Sequence, residues 1–189
     1  MVCTTNHVSI RLALQQDCAQ LADIQTTTWK TVYKSIFPPH FLDETLGSLM
    51  KAKWSSLPES GVIVVVAEEE QATQDDSCTT VVGFVAAKYS GPEQAAFIDN
   101  LHVRPSCQSR GIGRALMVGL GKELLRRGFH AAYLLVFVEN QGAIQFYHRL
   151  GGAMSTNTED ATLLGGYTAP CFRVTWSNLE SFVLQQQER

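Results

Sequence analysis

The stretch Ile98-Asp-Asn-Leu-His-Val-Arg-Pro-Ser-Cys-Gln-Ser-Arg-Gly-Ile-Gly-Arg-Ala-Leu-Met117 decides the fold. It opens within the apolar run Ala95 to Val103, which reads as a strand, and passes through Arg104-Pro105 into the loop Gln108 to Gly113. Beyond the loop, Ile112, Ala115, Leu116, Leu120 and Leu124 recur at helical spacing. Strand, glycine loop and helix in that order place successive backbone N–H groups at a helix N-terminus, where unpaired donors and the helix dipole favour an anion. Gly111 and Gly113 let phosphates approach without a Cβ, and Arg110 and Arg114 flank the site as charge-assisted donors. A diphosphate is the natural guest. No Gly-Lys-Ser/Thr follows, which excludes a Walker loop, and Leu116 stands where the third glycine of a dinucleotide fingerprint would fall.

Outward from this centre, the elements alternate without internal repeats or linkers. Val8, Ile10, Leu12 and Leu14 alternate as in a half-buried strand, Asp17 is placed to cap a helix over about Cys18 to Tyr33, and Pro38-Pro39 ends it. A second helix is predicted from about His40 to Trp54. The β-branched run Gly61 to Ala67 and the segment Thr79 to Lys88 read as strands, with the polar Glu68 to Ser77 as their hairpin loop. Arg127-Gly128 closes the glycine-loop helix, and Ala131 to Val138 is a buried strand. Asn140 caps a helix whose apolar face is Ala143, Phe146, Tyr147 and Leu150. A weak strand falls at Gly152 to Ser155, a last strand at Cys171 to Trp176, and Ser177-x-x-Glu180 resembles a capping box.

Composition excludes several classes. The 189 residues, 45% hydrophobic and 17% charged, fit one foldable α/β domain over 1–189 rather than a disordered chain. A net charge of −3 argues against a general nucleic-acid partner. No apolar stretch approaches the ~20 residues of a membrane span, and Met1 to Asn6 has no signal-peptide pattern, so a cytoplasmic protein without a membrane partner is expected. Five scattered cysteines form no C-x-x-C pair and the five histidines show no ligand spacing, so neither disulfides nor a metal are expected.

The segment 98–117 closely resembles the central motif of the GNAT superfamily of N-acetyltransferases, in which Gln/Arg-x-x-Gly-x-Gly/Ala binds the pyrophosphate of acetyl-CoA. Val138-Glu-Asn140, followed by Ala143, Phe146-Tyr147 and Leu150-Gly151, looks like the family's second cofactor segment, and the element order matches from about His7 to Trp176. The resemblance implies a GNAT fold of the α/β (α+β) class: a mixed, mostly antiparallel twisted sheet of six to seven strands, flanked by helices and splayed between strands 4 and 5. It implies acetyl-CoA as cosubstrate and direct attack by a primary amine. Leu101, His102 and Val103 would lie along the pantetheine arm, and Gln108, Ser109, Arg110, Gly111, Ile112, Gly113 and Arg114 would hold the pyrophosphate. Asn140, Ala143 and Phe146 would complete the cofactor side, with Asn140 bonding the arm or nearby backbone. Tyr147 would protonate the departing thiolate.

Each of these roles has a plainer counterpart. Tyr147 also fits an amphipathic core position. Asp99 is the acid available as general base, if desolvation raises its pKa, with His102 behind it; Asp99 also fits a loop-binding role. Trp29 and Tyr33, one helical turn apart, would form an aromatic wall of the acceptor pocket or ordinary helix packing. Cys107 beside the loop is either a thiol with a lowered pKa or incidental. A small-molecule amine is the favoured acceptor, against a protein N-terminus or lysine, or a non-catalytic acyl-CoA-binding module. The oligomeric state is left open, a homodimer being one option.

Overall fold

The computed structural model describes residues 8–57, 59–72, 77–89, 95–162 and 166–187. In chain order the elements are β1 (Val8–Leu12), α1 (Cys18–Val32), α2 (Leu46–Lys53), β2 (Val62–Ala72), β3 (Ser77–Lys88), β4 (Ala96–Val103), α3 (Ile112–Arg126), β5 (Ala132–Phe137), α4 (Gln141–Arg149), β6 (Ala153–Thr162), β7 (Thr168–Trp176) and α5 (Leu179–Gln187). The seven strands form one sheet in the order β1-β2-β3-β4-β5-β7-β6, in which only the β4–β5 pair is parallel.

The continuous apolar run in β2 follows from burial on both faces. Val64 and Val66, with Phe84 and Ala86 of β3, face Leu21, Ile24, Leu46 and Met50 of α1 and α2. The alternate residues Val65 and Ala67, with Val85 and Ala87, face Leu116, Leu120 and Leu124 of α3, which α5 covers through Phe182 and Val183. Two cores thus sandwich the sheet, and the strands between them are pinned in register.

The expected splay is present. β4 pairs with β5 only at Ala96–Ala132 and Phe97–Tyr133, after which the strands part. On its other side β4 follows β3 through a bulge, Asn100 opposite Ala86 and Ile98 opposite Ala87, so that Asp99 is the extra residue. A bulge bends its strand and re-aims the side chains around it. This bend swings β4 away from β5 and opens a cleft.

Some local expectations need correction. Glu68 to Glu70 continue β2 in register with Val81 to Thr79, so both ends of the expected loop are strand, and the rest of that expectation lies outside the described residues. Asp17 precedes α1 without capping it; its buried carboxylate instead pairs with Arg11 at 2.7 Å and accepts from Leu14 N. At α5 the cap is Asn178, whose Oδ1 accepts from Ser181 N at 2.8 Å, not Ser177. The second helix begins with a wide turn, Phe41–Thr45, before α2 proper. The weak strand near Gly152 is a ten-residue edge strand, β6, mostly exposed and polar.

Candidate active site

At the start of α3 the loop has the form of an anion nest. Ser109 and Gly111 both hold positive φ, 62° and 78°, which turns successive amides to one side. The first bond of the helix is Ala115 N to Gly111 O, and the amides of Ser109 to Arg114 before it find no backbone acceptor among the described residues. A Cβ on Gly111 would meet no atom within 4 Å. The space beside it is therefore open to a ligand. The loop fits a pyrophosphate on these grounds: unpaired donors, a helix N-terminus and room for oxygens.

Gly113 has a different reason. A Cβ there would come within 3.2 Å of the Phe146 ring, so this glycine lets α3 and α4 touch rather than making room for phosphate. Phe146 is accordingly spent on that contact and is not among the residues lining the cleft. The two arginines are also engaged: Arg110 pairs with Glu69 of β2, and Arg114 donates to the carbonyl of Gln186 in α5. Both flank the loop, as expected, but would have to leave these partners to meet a phosphate. Cys107 is buried in the core under α3, which favours the incidental reading.

Between the diverging strands lies a cleft of about 770 Å³. Leu101, His102, Val103 and Gln108 line one side, Leu134 to Phe137 of β5 the other, and Asn140, Ala143 and Tyr147 of α4 the third. Since β4 has no strand partner on this side beyond Phe97, its edge groups from Ile98 to Val103 are open to an extended ligand, as in strand addition. Gln108 ties the loop back to β4 by donating to Val103 O at 3.2 Å. Asn140 Oδ1 accepts from Ala143 N at 3.1 Å, the backbone alternative of its two expected roles. Tyr147 is 9% exposed, and burial, with the Tyr33 phenol beside it, holds its hydroxyl well above the ordinary tyrosine range. It is thus a protonated donor at neutral pH.

The far end of the cleft is formed by Thr28, Trp29 and Val32 of α1 and Tyr33 at its C-terminus, together with Lys53, Lys88 and Asp99. Trp29 meets Tyr33 edge-on at 5.1 Å and stacks on Phe37 at 5.3 Å; Tyr33 meets Phe137 of β5 at 5.0 Å, and Tyr167, just before β7, meets Phe37 at 5.0 Å. The two expected pocket residues are therefore both packed and cleft-lining. Burial raises the Tyr33 phenol to about 12.

Asp99 contradicts the expectation of a raised pKa. Burial does push its carboxyl up, but Lys53 and Lys88 outweigh it and hold it below the ordinary aspartate value. Lys53 Nζ lies 3.1 Å and Lys88 Nζ 3.2 Å from Asp99 Oδ2. A carboxylate so held is no base near neutrality. His102 fares no better: burial, then Lys53, push it down to about 3, against a weaker upward pull from Asp99. Its Nδ1 lies 2.9 Å from Thr28 Oγ1, and that hydroxyl also reaches the Ile24 carbonyl at 2.9 Å. A hydroxyl has one proton; donated to Ile24, it leaves Oγ1 to accept from Nδ1–H, with Nε2 unprotonated. Behind this wall, fully buried Gln25 accepts from Trp54 Nε1 and donates to Asn100 Oδ1, both at 2.7 Å. None of Gln25, Thr28, Lys53 or Lys88 stands out by spacing, because each becomes a neighbour only when α1, α2 and β3 meet β4.

A sheet parted at a parallel pair, with an amide-lined anion site at one end and an aromatic pocket at the other, is the architecture of an acyl-CoA-dependent transferase. The sequence profile of the acetyltransferase (GNAT) family matches residues 21–152, and the chain belongs to that family. It is an acetyl-CoA-dependent acyltransferase. The uncharacterised N-acetyltransferase YuaI of Bacillus subtilis is 28% identical over 143 residues, 74% of this chain and 77% of YuaI. The fold is similar to that of the PaiA N-acetyltransferase of Thermoplasma acidophilum, solved with coenzyme A, at a TM-score of 0.63 and 18% identity over 89% of this chain and 98% of that one. It is also similar to a mutant of the spermidine N-acetyltransferase SpeG of Vibrio cholerae, at a TM-score of 0.64 and 18% identity over 94% and 97% of the two chains. Among the described residues, no helix is long and apolar enough to cross a membrane.

Proposed function

We propose that this enzyme acetylates the primary amine of a small molecule by direct attack within a ternary complex. The observation that carries this reading is the cleft itself, which runs from the open β4 edge to Trp29, Val32 and Tyr33 facing Leu134 to Phe137 of β5 and is of a size suited to a small ligand. Tyr33 meets Phe137 of β5 and narrows the acceptor end, where a peptide-acetylating enzyme would need an open groove. The spermidine-acetylating neighbour uses the same fold on a small amine.

Acetyl-CoA, when bound, supplies an activated thioester. The residues of this chain do the rest by position and charge. The amides of Ser109 to Gly113 hold the pyrophosphate, and the β4 edge at Leu101 and Val103 aligns the pantetheine arm. An N–H of that edge is available to the carbonyl oxygen as it gains charge. Tyr147 Oη gives a proton at the sulfur. With Asp99 ion-paired and His102 a feeble base, the acceptor enters as the free amine, its proton lost to water. A thiol-release assay with acetyl-CoA and a panel of amines and peptides tests this reading. Turnover of peptides alone would replace it with a protein acetyltransferase, and cofactor binding with no turnover would favour a binding module.

A further inference from the structure

The acceptor end carries an unusual charge arrangement. Lys53 closes α2, Lys88 closes β3, and Asp99 occupies the β4 bulge between them. Both ammonium groups point to one oxygen, Asp99 Oδ2, which also accepts from Asn100 Nδ2 at 2.7 Å. One carboxylate therefore faces two cations and a neutral donor. A half-buried carboxylate needs a single cation for neutrality, and Lys53, 26% exposed, already provides it. Lys88 is 54% exposed and lines the cleft, with N–H groups to spare after its bond to Asp99. His102 on the same wall is neutral and adds no charge. Exposed Glu59 acts on Lys53 from outside the cleft, and Asp160 lies on the opposite β6 rim. The wall formed by β3, β4 and the end of α2 is thus cationic where the acceptor must lie.

We infer that the acceptor is a primary amine that also bears a carboxylate, held by Lys88 with help from Lys53. This names the substrate class for the acetyl transfer proposed above and rests on that reading. The carboxylate anchors at the lysine pair, which leaves the free amine at the acceptor's other end toward the open β4 edge, and the same cations disfavour an ammonium beside them. Trp29, Val32 and Tyr33 contact the body of the molecule between these ends. A polyamine such as spermidine would bring positive charge against two lysines, so this pocket selects against it although a neighbour of the same fold acts on it. Lys88 is then the specificity-determining residue.

The test compares matched acceptors that differ only in the acid, such as phenylalanine and phenethylamine, with spermidine as a third, in wild type, Lys88→Gln and Lys88→Arg. Wild type is expected to favour the amino acid in kcat/KM by roughly ten-fold or more, in keeping with one charge-assisted contact. Lys88→Gln should erase most of that preference with an unchanged KM for acetyl-CoA, and Lys88→Arg should restore part of it. A parallel thermal-shift series with coenzyme A present reads acceptor binding without turnover. Stabilisation by amino acids that disappears in Lys88→Gln supports the inference even if transfer fails, which would count against the catalytic reading alone. Equal or better use of the decarboxylated amine or spermidine by wild type, or a preference untouched in Lys88→Gln, would overturn it.

Discussion

Holding His102 neutral makes the protein acid-sensitive in a calculable way. The imidazole titrates at about 3 in the folded chain, against an ordinary value of 6.5, because burial and Lys53 oppose the added charge. The unfolded chain therefore binds a proton below 6.5 that the folded chain refuses, and stability falls as pH drops through that window. Full stability from this group is present above 6.5. From about pH 8 to about pH 5 the loss integrates to roughly 2 kcal/mol, and for a chain of this size it lowers the melting temperature by about 4–8 °C. Glu123, held down to about 2 by Arg126 and Arg127, loses its contribution only at lower pH and does not blur the window. The assay is a pair of urea or thermal melts at the two pH values for wild type and His102→Gln, which keeps a polar contact to Thr28 but cannot titrate. Whatever the substitution costs at pH 8, the variant should lack about 2 kcal/mol of the pH dependence. An equal fall in both proteins, or a His102 ring signal titrating near 6.5 in the folded state, would show that the fold does not hold His102 neutral.

Other consequences are equally direct. Gly111→Val should cost about 1–2 kcal/mol of stability, because the position needs a positive φ, and should abolish acetyl-CoA binding; a folded variant with unchanged affinity by calorimetry would place the phosphates elsewhere. Tyr147→Phe should keep fold and cofactor binding but lower kcat by roughly ten-fold to a thousand-fold, incompletely because a thiolate can leave unprotonated; an unchanged kcat would make Tyr147 a core residue only. Trp29→Ala should raise the acceptor KM more than the acetyl-CoA KM, whereas equal losses with a lowered melting temperature would assign it to packing. With Asp99 and His102 both below the useful range, kcat/KM should climb with pH along the acceptor amine's own titration, and an inflection near neutrality that no acceptor shares would reveal an enzyme base.

What could be read from the chain alone was what is local. The glycine loop, the buried strands β2 and β5 and the Asn140 cap each announce themselves within a few residues, through φ demands, β-branched runs or a side-chain oxygen at a helix start. The splay followed from the family resemblance, and its physical cause, the bulge at Asp99, has no signature in the sequence. The edge strand β6 has little apolar alternation because one face and one edge meet water. Asp99 looked like a base because burial was the only effect visible in the sequence; Lys53 and Lys88 reach it from other elements and reverse the sign. The missing side chain of Gly113 reads as room for phosphate and the resemblance assigns Phe146 to the cofactor side, whereas the crossing of α3 and α4 packs Phe146 against the Gly113 Cα and leaves only the Gly113 amide for the phosphate.

Transfer of an acetyl group from acetyl-CoA to an amine held in the cleft between β4 and β5 would leave two products to count. The most direct measurement follows free coenzyme A thiol and acetylated amine together, by colour reaction and mass, as wild-type protein is given acetyl-CoA and a panel of amines. Amine-dependent thiol release should be matched one-to-one by acetylated product, and both should be lost in Gly111→Val. Thiol release that no amine accelerates, with acetyl-CoA nevertheless bound, would contradict such transfer.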